Sequence, residues 1–165
     1  MPSRRLYLEA RMGIELSGCC PLLQVFDMPT AVAFYCDVLG FEVVSHSGNT
    51  DDASQSGFCW LRRKGTELML NTAYDEGERP ETPDPARVAA HGDTCIYFGW
   101  EDLDGLYAEL CAKGVNAREP KTAWYGMKQL YVTDPDGFGL CFQWPVTQGT
   151  YDSWVEAYGL EKKTI

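Results

Sequence analysis

One half of this chain is a rewriting of the other, and a duplicated unit restricts a fold because each copy must bury its apolar face in the same way. Pro21–Asp27 reads as a short apolar strand closed by an Asp. Met28–Gly40 follows, with Ala31, Phe34, Tyr35, Val38 and Leu39 at helical spacing. Asp27 is placed to cap that helix, Pro29 is tolerated in its first turn, and Gly40 supplies the left-handed residue that ends it. The second half keeps the plan. Thr94–Asp102 is again a strand ending in Asp, Leu103, Leu106, Tyr107 and Leu110 share a helix face, and Gly114 stops the helix. Asp27 and Asp102 stand 75 positions apart, as do Cys36 and Cys111.

Three strand-like runs follow each helix. The pattern predicts strands at roughly 19–26, 41–46, 57–63, 67–72, 94–100, 115–118, 128–133 and 139–144, and helices at roughly 28–38 and 103–113. Lys64-Gly65 and Asp134-Pro135-Asp136-Gly137 carry the turn chemistry of hairpins. The chain is therefore α+β, two βαβββ modules at 19–72 and 94–145. An N-terminal extension (1–18) precedes them and a tail (146–165) follows, with a short helix expected over Tyr151–Gly159. Between the modules, residues 73–93 set Pro80, Pro83 and Pro85 among acidic side chains, which reads as a solvated connector without an element of its own.

Composition narrows the function. With 24 Asp and Glu against 14 Lys and Arg, the net charge is −10, so nucleic acid is not an expected partner. No apolar run approaches the ~20 residues that span a bilayer, so no membrane partner is expected. The opening Met1–Arg11 carries Glu9 and Arg11 where an export signal needs an unbroken apolar stretch. The seven Cys are odd in number and form no C-x-x-C pair, which fits buried thiols in a reducing, cytoplasmic setting. Cys19 and Cys20, though adjacent, are expected to stay free.

The order and spacing of these pieces resemble the vicinal-oxygen-chelate superfamily of glyoxalases, bleomycin-resistance proteins and extradiol dioxygenases, with the bleomycin-resistance members nearest. The resemblance covers roughly residues 20–145. It rests on a strand ending in Asp27, a helix with Phe34-Tyr35 closing at Leu39-Gly40-Phe41, Tyr125-Gly126-Met127, the run Tyr131–Gly137, and a last strand ending Cys141–Trp144. It implies an eight-stranded, cup-shaped sheet with helices outside, a homodimer, and a ligand in the cup. In the superfamily's enzymes a divalent metal is held there by His on the first strand of a module and Glu near the end of the fourth.

Those His positions fall here on Cys20 and Cys95. The Glu positions fall on Cys141 and on Met69, or on Glu67 if the register slips by two. Imidazole and carboxylate are missing, so no metal and no cofactor is expected. A soft-metal site of Cys20, Cys95, Cys141 and Met69 is the alternative to an inert thiol wall. The two His, His46 and His91, lie outside the slots, and His91 reads as a loop residue. Arg62-Arg63-Lys64 reads as a solvated turn with a possible carboxylate contact.

Alternation along the strands then outlines the cup. Cys20 carries Leu22 and Gln24 to the same side, Cys95 carries Tyr97, and Cys141 carries Gln143. Trp60, Trp124, Tyr125 and Tyr131 are expected on the rim. Aromatics with a few amides favour a flat hydrophobic or cationic small molecule. The expected function is metal-independent ligand binding without catalytic residues. The alternative is a superfamily lyase, isomerase or dioxygenase with a thiol-rich or metal-free site.

Overall fold

A computed structural model describes residues 18–49, 51–75 and 77–165. The N-terminal extension therefore lies outside the described residues except for Gly18. The first module runs β1 (Leu22–Val25), α1 (Met28–Val32) with a π-helical continuation (Ala33–Val38), β2 (Glu42–His46), a 3-10 turn (Ala53–Gln55), β3 (Phe58–Arg63) and β4 (Thr66–Thr72). A connector helix, α2 (Pro85–His91), leads to β5 (Cys95–Gly99), α3 (Leu103–Ala112), β6 (Lys121–Thr122), β7 (Met127–Thr133), β8 (Gly139–Pro145) and α4 (Gln148–Tyr158).

The eight strands form two four-stranded mixed sheets, ordered β1-β4-β3-β2 and β5-β8-β7-β6. In each, the first and fourth strands of the module run parallel, with Leu22 opposite Met69 and Tyr97 opposite Cys141. The helices begin where the capping residues place them. Asp27 accepts from Thr30 N at 3.0 Å and Asp102 from Gly105 N at 2.9 Å. Strand alternation then meets helical periodicity. Cys59, Leu61, Leu68 and Leu70 are fully buried on the α1 side, and Leu130, Leu140 and Phe142 are buried on the α3 side. Each buried side chain of that size contributes about 1.5–3 kcal/mol relative to exposure. The modules join through this helix-side core, where Phe41 meets Phe98 edge-on at 6.2 Å and Phe98 stacks on Phe142 at 5.2 Å.

The β7–β8 turn carries the second module onto the first. Tyr35 Oη donates to Asp134 Oδ2 at 2.8 Å, and the Phe26 N–H donates to Asp136 Oδ1 at 2.6 Å. Gly137, at φ +93°, is confined to glycine, because a Cβ there would stand 2.4 Å from the Val88 carbonyl oxygen.

Four local expectations change. The connector is not featureless. Asp84 caps α2 by accepting from Ala86 N at 2.9 Å, and Pro85 occupies its first turn. His91 ends that helix, not a loop, and stacks on Phe138 at 4.0 Å and 9°. The strand expected at 115–118 is reduced to a single bridge, Ala117 with Val132, and pairing resumes at Lys121 opposite Gln129. Four residues thus cover three on β7, which puts a one-residue bulge at Glu119-Pro120, where proline has no N–H to donate. The tail helix starts three residues early, at Gln148, because the Thr147 side chain caps it; Trp154 packs on Trp144 at 4.9 Å.

Candidate ligand-binding site

The sheet faces turned away from α1 and α3 carry the residues singled out from alternation. On the first sheet, Leu22 and Gln24 of β1, Met69 of β4 and Trp60 of β3 share one face, and Cys20 lies just before β1. On the second, Cys95 and Tyr97 of β5, Cys141 and Gln143 of β8, and Tyr131 of β7 share the other. Leu22 is 48% exposed and Tyr97 52%. The two sets are not brought together within one chain. A cavity of ≈ 470 Å³ on the first sheet is lined by Phe58, Asn71 and Tyr74 among others, and one of ≈ 480 Å³ on the second by Arg118, Lys121, Gln129 and Tyr131 among others. Each takes its walls from one module and its flanking loops.

The second face holds a polar relay. Gln129 Nε2 donates to Gln143 Oε1 at 2.9 Å, and Tyr131 Oη donates to Gln129 Oε1 at 3.2 Å. Gln129 is only 6% exposed, so its amide is held in place by these partners. Hydrogen bonding with Tyr97, and then burial, push the Tyr131 phenol well above its usual range, so it stays neutral and keeps its proton.

On the first face, Arg62 pairs with Glu67 (Nε–Oε1 2.7 Å) and lies 5.7 Å over the Trp60 ring. The Trp60 indole N–H is buried without an acceptor. Gln24 is held from α2, where Arg87 Nη2 donates to its Oε1 at 2.9 Å. The basic turn, read as solvated with a carboxylate contact, makes that contact through Arg62 and is anchored besides, since Arg63 Nη1 donates to Leu39 O at 2.5 Å.

Trp124 and Tyr125 belong to neither wall. They sit in the β6–β7 turn, packed on one another edge to face at 5.4 Å, with Trp124 96% exposed. Gln129, Phe58 and Asn71 were missed by the sequence reading. The same period of two that linked Cys141 to Gln143 would have found them, starting from Tyr131, Trp60 and Met69.

The slots that hold metal in the superfamily's enzymes do not fit a divalent ion here. The parallel register puts Glu67 across from Cys20, but Arg62 already engages that carboxylate. Burial pushes the Cys141 thiol up to about 11 and raises Cys20 and Cys95 as well, so all three are protonated at neutral pH. Among the described residues no three His, Cys, Asp or Glu side chains are grouped to hold an ion. All seven cysteines are free. The three thiols differ in burial, Cys141 being fully buried while Cys95 is exposed, so deleting them should cost different amounts. Cys141→Ala is expected to cost about 1 kcal/mol. Cys95→Ala should leave the calorimetric melting temperature unchanged, and a drop equal to that of Cys141→Ala would refute this placement.

Comparison with known proteins agrees with the geometry. The family model described as Glyoxalase/Bleomycin resistance protein/Dioxygenase superfamily matches residues 19–142. A bleomycin resistance protein of Geobacillus stearothermophilus is 30% identical over 131 residues, covering 74% of this chain and 92% of that protein. The bleomycin resistance determinant encoded on transposon Tn5 has TM-score 0.58 at 20% identity, covering 80% of this chain and 100% of that one. The bleomycin-binding protein of Streptomyces verticillus, solved with copper(II)-bleomycin, has TM-score 0.55 at 21% identity, covering 79% and 97%. At those identities the two structures establish the fold alone. Twice-built βαβββ architecture, the matched family model and the 30% relative together place this chain in the Glyoxalase/Bleomycin resistance protein/Dioxygenase superfamily.

Proposed function

We propose that this chain is a metal-independent small-molecule-binding protein of the bleomycin-resistance kind, acting in the cytoplasm, that holds a flat aromatic or cationic compound between two copies of itself. The observation that carries the reading is the second sheet face. There the half-exposed Tyr97 ring stands beside a fixed Tyr131–Gln129–Gln143 relay. Such a surface offers stacking area and oriented amide groups, and it offers no ionised nucleophile or base. A net charge of −10 favours a cationic guest. Sequence relatives that bear the name bleomycin resistance protein support the same ligand class.

The dimer follows from the split site. Each sheet face is half of a cup, and Leu22 and Tyr97 leave apolar area that a second copy would cover. No helix among the described residues is long and apolar enough to cross a membrane, and the partner sought is a small molecule.

Titration with bleomycin, with and without copper(II), read by calorimetry and intrinsic fluorescence, tests the reading. Saturable binding by metal-free protein is expected, with light scattering giving twice 18.5 kDa. A monomer at tens of micromolar that binds neither bleomycin nor a panel of flat cationic aromatics would overturn it. One equivalent of zinc, nickel or iron in native protein would overturn its metal independence.

A further inference from the structure

A separate crevice lies on the helix side of the sheets, where the β3–β4 turn of the first module meets β5 and α3 of the second. It measures ≈ 180 Å³, and Phe41, Phe98, Leu106 and Phe142 form its apolar wall. Cavities of ~150 Å³ lined by apolar side chains hold a benzene ring, so the space suffices for one ring or a short chain.

Its mouth is positively charged although the protein is strongly acidic. Arg63, Lys64 and Lys113 line it against one carboxylate, Glu109. Lys113 is spent. Its ammonium pairs with Glu109 Oε1 at 2.8 Å and donates to the carbonyls of Asp37 and Val38 at 3.1 and 2.9 Å. Arg63 gives one Nη1–H to Leu39 O and lies 5.3 Å over the Trp100 ring, which leaves further N–H groups of its fork unused. Lys64 has no ion-pair partner among the described residues. Three cations therefore share one carboxylate, Glu109, which faces both Lys113 and Arg63, so the rim of this aromatic-lined crevice keeps an excess of positive charge.

The opposite junction between the modules shows what such a place accepts. There the β7–β8 turn reaches the first module, and α2 plugs the gap by laying the planar His91 ring on Phe138 at 4.0 Å. His91 Nδ1 is fixed 2.7 Å from the Asp136 carbonyl oxygen. Among the described residues no helix does the same at the β3–β4 junction.

We propose that this inter-module crevice is a second ligand site, independent of the sheet faces, for a small organic carboxylate with a single ring or short aliphatic chain. The apolar part enters among Phe41, Phe98 and Phe142, and the carboxylate meets the free edge of the Arg63 guanidinium with Lys64 beside it. A neutral guest of the same shape leaves both cations unanswered, and a cationic guest is repelled by them.

Nitrogen–proton correlation spectra of the full chain, titrated with benzoate, benzyl alcohol and benzylamine, test this. Benzoate should give saturable shifts at the Gly40 and Gly99 amides and the Trp100 indole N–H, leaving Gln129 and Gln143 side-chain amides unmoved. Benzyl alcohol should bind about tenfold more weakly, because a charge-assisted hydrogen bond is absent. Benzylamine should not bind. Arg63→Gln, which keeps a donor for Leu39 O, and Lys64→Ala should each weaken benzoate alone. Equal affinity for benzoate and benzylamine, shifts confined to the sheet faces, or no saturation at tens of millimolar would each overturn the proposal. The wild-type comparison decides the matter even if Arg63→Gln folds poorly.

Discussion

Asp134→Ala is expected to lower the stability of this protein by about 3–5 kcal/mol, because one side chain satisfies three buried donors. Oδ1 of Asp134 accepts from the amides of Asp136 and Phe138 at 2.9 and 2.8 Å, and Oδ2 accepts from Tyr35 Oη at 2.8 Å. The residue is 5% exposed, so water does not replace those bonds without opening the junction between the modules. For a chain of this size that loss corresponds to a fall of about 10 °C in melting temperature by calorimetry. Asp134→Asn should retain most of the stability, since its carbonyl oxygen still takes both amides and its NH₂ can donate to the Tyr35 oxygen. Equal losses for Ala and Asn would show that the bonds do not hold the turn.

The same carboxylate has a signature in pH. Burial raises the folded-state values of Asp134 and Asp136 above the ordinary carboxylate value. For an acid whose folded pKa is raised, the stabilising contribution belongs to the protonated form. It is fully present below the unfolded value and is lost as pH rises through the folded one. The wild-type melting temperature should therefore decline as pH rises above the ordinary carboxylate range. Asp134→Asn, having no proton to lose, should show a shallower decline, and an unchanged slope would remove Asp134 as its source.

Tyr97→Ala is expected to weaken ligand binding by about 1–3 kcal/mol, roughly tenfold to a hundredfold, with little change in folding stability. The ring is half exposed on the second sheet face and contacts the Tyr131 hydroxyl, so its removal takes away stacking surface without opening the core. Trp124→Ala is the matching control. That ring projects into solvent from the β6–β7 turn, beyond the wall, and its loss should leave calorimetric titration with bleomycin unaltered. If Trp124→Ala abolished binding and Tyr97→Ala did not, the ligand would lie at the turn and the sheet-face site would be wrong.

Residues close in sequence determined nearly all of the elements. Asp27 and Asp102 cap their helices within three positions, and Gly40 closes the first at φ +73°. Alternation alone put Leu22 with Gln24, Cys95 with Tyr97 and Cys141 with Gln143, and the parallel registers agree. These signals were legible because capping, turns and strand alternation act over two to four residues, where composition and order are already decisive. What only the tertiary structure decided depends on partners far along the chain. Residues 115–118 lack a full strand because the ladder on β7 resumes past a bulge at Glu119-Pro120. The connector holds a docked helix because Arg87 meets Gln24 and His91 meets Phe138, and neither partner is visible locally. The two sheets stay separate for the same reason. Every strand-to-strand hydrogen-bond ladder stays within its own module, and the modules meet instead through Phe41, Phe98 and the Tyr35–Asp134 bond, contacts that exist only once both halves are folded.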